Sequence, residues 1–342
     1  MKQGRSPLTA ASERARARFL TDAGFLLAAA LASACLTSGY RTKPRIAVVD
    51  GDPVVQMASP GDFRSETNPR WVAAAEHTDP PNESERLLGI ALPGFALAYP
   101  IGLLDRVEVV NDGLAGRAWV TARCALTHVA AIYVRSVEGR VLTFENSGAL
   151  WRDTLVLKDR QTGTYWTAAT GVALSGPLAG RRLTPLPALY TSARAWRRAF
   201  PDSRYADFGM PISVPLMLKL YGISPWRGVS REKIRDRRHP PKREFLSIAV
   251  GREVLAFTLG ELRKRRTAEA MVGGETVQIE WDALLEAPRA WAGPPGARRE
   301  LPVVPMYWFA LDRHFRVIRT LRGVVRGQTP VSRRETGTGT LP

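Results

Sequence analysis

One pattern of apolar and polar positions occurs twice along the chain: a short alternating strand pair about a tight turn, then helical spacing. In its first occurrence, residues 88–92 and 95–99 read as paired strands about Pro93-Gly94, a frequent turn pair. Pro100 suits the first helical position and predicts a short helix to about Val110, which Asn111-Asp112-Gly113 stops. Residues 117–123 alternate as a strand, and further strands are expected at 130–135, 140–144, 154–158 and 165–167, with a tight turn at 159–163. Residues 191–200 have helical spacing, with Trp196 on the apolar side.

The second occurrence repeats the first in detail. Laid without a gap over 88–116, residues 246–274 match Leu88 with Leu246, Ile90 with Ile248, Ala91 with Ala249, Leu97 with Leu255, Ala98 with Ala256, Gly102 with Gly260, Leu104 with Leu262 and Gly116 with Gly274. These are apolar and glycine positions, as expected of a duplicated structural unit. A further echo pairs Leu186-Pro187, Ala195, Arg198 and Phe200 with Leu301-Pro302, Ala310, Arg313 and Phe315 at a shorter offset. The second copy therefore lacks a counterpart to roughly residues 125–170. The expected fold class is β-rich α+β, with two related lobes of which the second is shortened.

The flanking segments complete the organisation. Residues 1–35 combine Arg14, Arg16 and Arg18 with an apolar run at 24–34 and then Cys35, the order of an export signal too short to span a membrane. Cleavage after Ala34 and lipid attachment at Cys35 both fit. Residues 36–84 read as an extended arm with one helical piece near 70–76. The complete lobe spans 85–202, a basic linker 203–243, the shortened lobe 244–326 and a disordered tail 327–342.

Charge changes this picture little. The net charge is +17, yet only seven of the 49 basic residues are lysines, so arginine is partly compositional background. The basic residues are dispersed except at 227–243, which contains two consecutive prolines, whereas a nucleic-acid surface normally gathers them on one element with interleaved aromatics. Nucleic acid is not the expected partner; an anionic membrane surface, reached through the leader or a lipid anchor, is. A small ligand or protein partner and any cofactor are left unnamed.

No phosphate-binding loop, His-Glu-x-x-His, G-x-S-x-G or paired CxxC motif is present. Cys124 and His128 form one local pair: a thiol four residues from an imidazole suits a soft metal or an activated thiolate, although a buried cysteine beside a loop histidine explains it equally simply. No full set of metal ligands accompanies the pair. Glu108, Asn111 and Asp112 mark the end of the first predicted helix, where carboxylates oppose the helix dipole. Asp159, Arg160, Thr162 and Trp166 form the densest polar constellation, read either as a pinned turn or as a pocket for a polar ligand.

The runs Leu88-Gly-Ile-Ala, Ala98-Tyr-Pro-Ile, Glu108-Val-Val-Asn-Asp112, Gly139-Arg-Val-Leu-Thr-Phe144 and Asp159-Arg-Gln-Thr-Gly163 with Trp166 resemble a bacterial family of proteins of unknown function, DUF3179. The resemblance runs through most of 68–202 and implies an exported setting. It also implies a Cys-Pro-x-Cys run, of which only Cys124 remains here, with Ala125 and Thr127 at the proline and second-cysteine positions. Arg106-Val107 stands where the family has a Trp-His pair. A two-thiol cycle needs a resolving partner, so the expectation is an exported binding or structural module with no catalytic residue. The alternatives are a single-thiol redox or soft-metal protein using Cys124 and His128, and an enzyme acting through Asp112, Asp159 and Arg160 on a polar substrate.

Overall fold

A computed structural model describes residues 40–321 apart from 74, 75, 78 and 295; the segment read as an export signal with Cys35, and the segment 327–342 read as a disordered tail, lie outside these. Short strands dominate, because runs of alternating or fully apolar residues are cut every five to eight positions by glycine, proline or aspartate turns. Several antiparallel sheets are arranged like a propeller.

A six-stranded sheet has the order Arg45–Val49, Asp52–Gln56, Phe144–Trp151, Thr154–Asp159, Tyr165–Thr167 and Ala173–Ser175. A four-stranded sheet joins Ser65–Thr67, Val109–Leu114, Arg117–Cys124 and Val129–Val134. A five-stranded sheet has the order Leu189–Ser192, Arg86–Leu92, Phe95–Pro100, Arg204–Asp207 and Arg70–Ala73. Toward the C-terminus, Val304–Tyr307, Glu244–Val250, Glu253–Phe257 and Val317–Thr320 form one sheet. Thr267–Val272, Glu275–Asp282, Ala287–Ala292 and Arg299–Leu301 form the other. Two buried clusters hold the sheets together, and each draws side chains from both halves of the chain: Leu88, Trp119 and Ile132 pack with Ile248 and Ile279, and Cys124, Phe144 and Trp166 with Phe245 and Trp308.

Three local expectations are corrected. The helix after Pro100 is only Ile101–Val107, and Val109–Leu114 is a strand, so Asn111 and Asp112 are strand residues. Glu108 ends the helix with φ of 60°, and Val109-Val110 then pair with Thr121-Ala122 of the next strand. The piece near 70–76 is a strand as far as Ala73, antiparallel to Arg204–Asp207. The strand expected at 140–144 is a two-residue ribbon, Arg140–Val141; Phe144 begins the long strand Phe144–Trp151. Each error has one cause: tertiary pairing overrides weak local propensity in segments of eight residues or fewer. Residues 36–84 and 203–243, read as arm and linker, contribute strands to three of these sheets and a helix, Leu216–Ile223.

Candidate functional site

The hairpin Arg117–Cys124 and Val129–Val134 turns at residues 125–128, and His128 takes φ of 60° to close it. This brings Cys124 to the bottom of the hairpin, where it is 1% exposed and its Sγ accepts the Leu155 N–H at 3.4 Å. Burial, with the neighbouring Glu108 charge, pushes the thiol above its ordinary value. A buried, protonated thiol is a poor nucleophile and a poor metal ligand.

His128 does not face Cys124. Its Nδ1 lies 3.0 Å from Glu244 Oε2 and its Nε2 2.7 Å from the Tyr307 hydroxyl, with the Tyr307 ring stacked on it. Burial, reinforced by Arg123, keeps the imidazole below its ordinary value. A neutral ring that donates from Nδ1 to Glu244 and accepts from Tyr307 satisfies both contacts. Glu244 also accepts from the Tyr190 hydroxyl at 3.2 Å. Burial works against the Glu244 charge, but His128, Arg123 and Tyr190 outweigh it and hold the carboxyl below its ordinary value. Beneath the ring, Arg123 is 1% exposed and donates to Asp105 and to the His128 carbonyl, each at 2.8 Å. The histidine thus ties the first hairpin to strands more than a hundred residues later.

Glu108 accepts from Asn146 Nδ2 at 2.7 Å, and burial lifts its carboxyl to about 7. Asn111 acts as a peptide mimic: its side chain both donates to the Phe144 carbonyl and accepts its N–H, at 2.7 Å each. Asp112 accepts from Tyr99 at 2.6 Å, and Tyr99 accepts from Trp119 at 2.8 Å. Asp159 is fully buried and accepts from Trp166 Nε1 at 2.9 Å and from the Thr162 backbone and hydroxyl. Arg160 leaves this group and pairs with Glu145 at the surface. The turn 159–163 is therefore pinned by its own side chains, and Trp166 is core.

Glu108 offers a test through pH. Because the fold favours its protonated form, the stabilisation is complete below pH 4.5 and is lost as pH rises through about 7. Relative to Glu108→Gln, the wild-type protein is expected to lose about 3 kcal/mol over this range, measured by urea unfolding at a series of pH values. Parallel stability curves for the two proteins would refute it.

The sequence-selected residues therefore fall into separate hydrogen-bond networks. Asp112, Asp159 and Arg160 share no partner. Among the described residues no three His, Cys, Asp or Glu side chains stand together as a metal site. Residues with no sequence signal complete a second buried group. Asp153 is 0% exposed and binds the Val229 and Ser230 N–H groups at 2.7 Å, the Ser230 hydroxyl at 2.8 Å and the Arg313 guanidinium. These partners lie far away in sequence, so no local spacing announces them. Beside them opens a cavity of about 650 Å³ lined by seven cationic and four acidic side chains.

The family model for the protein of unknown function DUF3179 matches residues 62–293. The chain belongs to the DUF3179 family. The match takes in the five-stranded sheet, the Cys124 hairpin, the pinned Asp159 turn and most of the C-terminal strands. Among curated proteins and solved structures, none matches this DUF3179 chain.

Proposed function

We propose that this DUF3179 protein is an exported envelope protein that acts by binding, without turnover. One observation carries the reading: Cys124 is sealed in the core with its thiol raised, and Thr127 stands where a resolving thiol would be needed. His128, the nearest imidazole, is held by Glu244 and Tyr307 on its two nitrogens. These partners favour neither a single-thiol redox or soft-metal role for Cys124 with His128, nor an enzyme working through Asp112, Asp159 and Arg160. Export rests on the basic and apolar order of residues 1–35, and lipid attachment at Cys35 would hold the protein at the membrane surface.

In full-length Cys35→Ser protein, an aromatic disulfide reagent is expected to leave the folded chain unlabelled over minutes and to titrate one thiol after unfolding. Rapid labelling of the folded protein, together with a turnover that Cys124→Ser abolishes, would overturn the reading.

We further infer an internal duplication. In support, the first four strands of the five-stranded sheet, Leu189–Ser192, Arg86–Leu92, Phe95–Pro100 and Arg204–Asp207, and the sheet ordered Val304–Tyr307, Glu244–Val250, Glu253–Phe257, Val317–Thr320 follow one plan. In both, the chain's last strand pairs parallel to the hairpin's second strand. A seven-residue helix follows each hairpin, and another precedes each last strand. The six-stranded sheet has no C-terminal equivalent among the described residues.

A further inference from the structure

The 650 Å³ cavity is bounded by the six-stranded sheet on one side and by residues 312–316 and 232–235 on the other. All four of its carboxylates are already matched: Asp50 and Asp52 with Arg152, Asp312 with Arg235, and Glu232 with Arg313. Arg182, Lys233, Arg252 and Arg316 make no ion pair among the described residues. Like-signed side chains brought together without counter-charges raise the local positive potential and favour an anion. The wall also holds two N–H donors, Trp151 Nε1 and Arg313 Nε, that have no acceptor among the described residues.

A second, mostly apolar cavity of about 90 Å³ adjoins the first. The two share Thr170, Arg182, Gly251 and Phe315 as a common wall, and the smaller one, the throat, is lined further by Ala131, Ile132, Val303 and Met306. The throat exceeds the space of a single water molecule and suits a few methylene groups.

Building on the binding reading, we infer that this compound cavity takes an anionic amphiphile. Its phosphate or carboxylate head sits among Arg182, Lys233, Arg252 and Arg316, and a short apolar end enters the throat. Guanidinium groups suit such heads because they donate paired hydrogen bonds to two oxygens. The apolar end supplies selectivity, at roughly fourfold in affinity per buried methylene group.

The test is calorimetric titration of the full chain with inorganic phosphate, methyl phosphate and butyl phosphate. Butyl phosphate is expected to bind at least roughly tenfold tighter than methyl phosphate. Arg252→Gln/Arg316→Gln, at two exposed and unpaired positions, is expected to weaken all three by roughly tenfold. Ala249→Leu, which narrows the throat, is expected to abolish the advantage of butyl over methyl phosphate while preserving phosphate binding. Equal affinity for the two esters, or binding insensitive to the double variant, would overturn the inference. Failure of all three probes would do so too, yet would leave the binding reading standing; that reading falls only with thiol-dependent turnover. Co-sedimentation with phosphatidylglycerol vesicles that butyl phosphate displaces would identify a lipid headgroup as the source of the head. Ester binding without co-sedimentation would identify a soluble anion, and both results support the inference.

Discussion

Asp153→Ala is expected to lower the unfolding free energy by about 3–5 kcal/mol, measured by chemical denaturation. Asp153 sits in the turn between Phe144–Trp151 and Thr154–Asp159, at φ of 62°, with its carboxylate wholly inside the protein. Removing it leaves the Val229 and Ser230 N–H groups without their acceptor and takes from the Arg313 guanidinium its nearest carboxylate. A buried cation left with only the more distant Glu232 as counter-charge accounts for most of the loss, and alanine at positive φ adds to it. Gly228 is the companion constraint, since a Cβ there would meet the Asp153 carboxylate at 2.3 Å. Asp153→Asn tolerates the same backbone conformation and keeps an acceptor, so its loss should be smaller. Equal destabilisation by the two substitutions would show that the charge carries the whole effect and that the retained acceptor contributes nothing, against this expectation.

Arg123→Leu is the second large effect, also expected at about 3–5 kcal/mol. It strips the partner from Asp105 and the donor from the His128 carbonyl, both inside the protein. Burial opposes the Arg123 charge, yet Asp105 beside it more than restores it and raises the group above its ordinary value. The penalty comes from the stranded carboxylate, not from the intrinsic worth of the pair. Arg123→Leu/Asp105→Leu should therefore be more stable than Arg123→Leu alone, because an apolar pair of similar volume leaves no buried charge. If the double variant loses the sum of the two single losses, the pair is not coupled and the account fails. The same comparison bears on function, since Arg123 supports the His128 turn that Glu244 and Tyr307 hold from the C-terminal sheet.

Much of the architecture was legible beforehand. The strand pair about Pro93-Gly94, its counterpart at Leu246 and the turn at Asp159 all carry their cause in adjacent residues: alternation, a turn dipeptide, an aspartate with a threonine three positions on. The strand Val109–Leu114 did not, because Val109-Val110-Asn111-Asp112 serves a helix end or a strand equally until Arg117–Cys124 lies beside it. Nor did the strands at Asp52–Gln56 and Arg70–Ala73, whose short sequences are ordered by neighbours from distant segments.

The site residues divide in the same way. Glu108, Asn111, Asp112, Cys124, His128, Asp159 and Trp166 lie in or against the interior, each with a hydrogen-bond partner inside the protein. Asn111 closes on Phe144, Asp112 on Tyr99, and Trp166 on Asp159. The cationic cavity had no sequence signal at all, since its walls come from residues near 50, 152, 182, 233, 252 and 316. Sequence by itself determined the β-rich class, the hairpins after Leu88 and Leu246 and the family, because strand alternation, turn residues and residue identity are local properties. Only the tertiary structure decided which strands pair, which carboxylates meet which arginines, and where unmatched cations collect. Those outcomes depend on burial and on contacts between residues as far apart as His128 and Tyr307, 179 positions, and no local pattern encodes such distances.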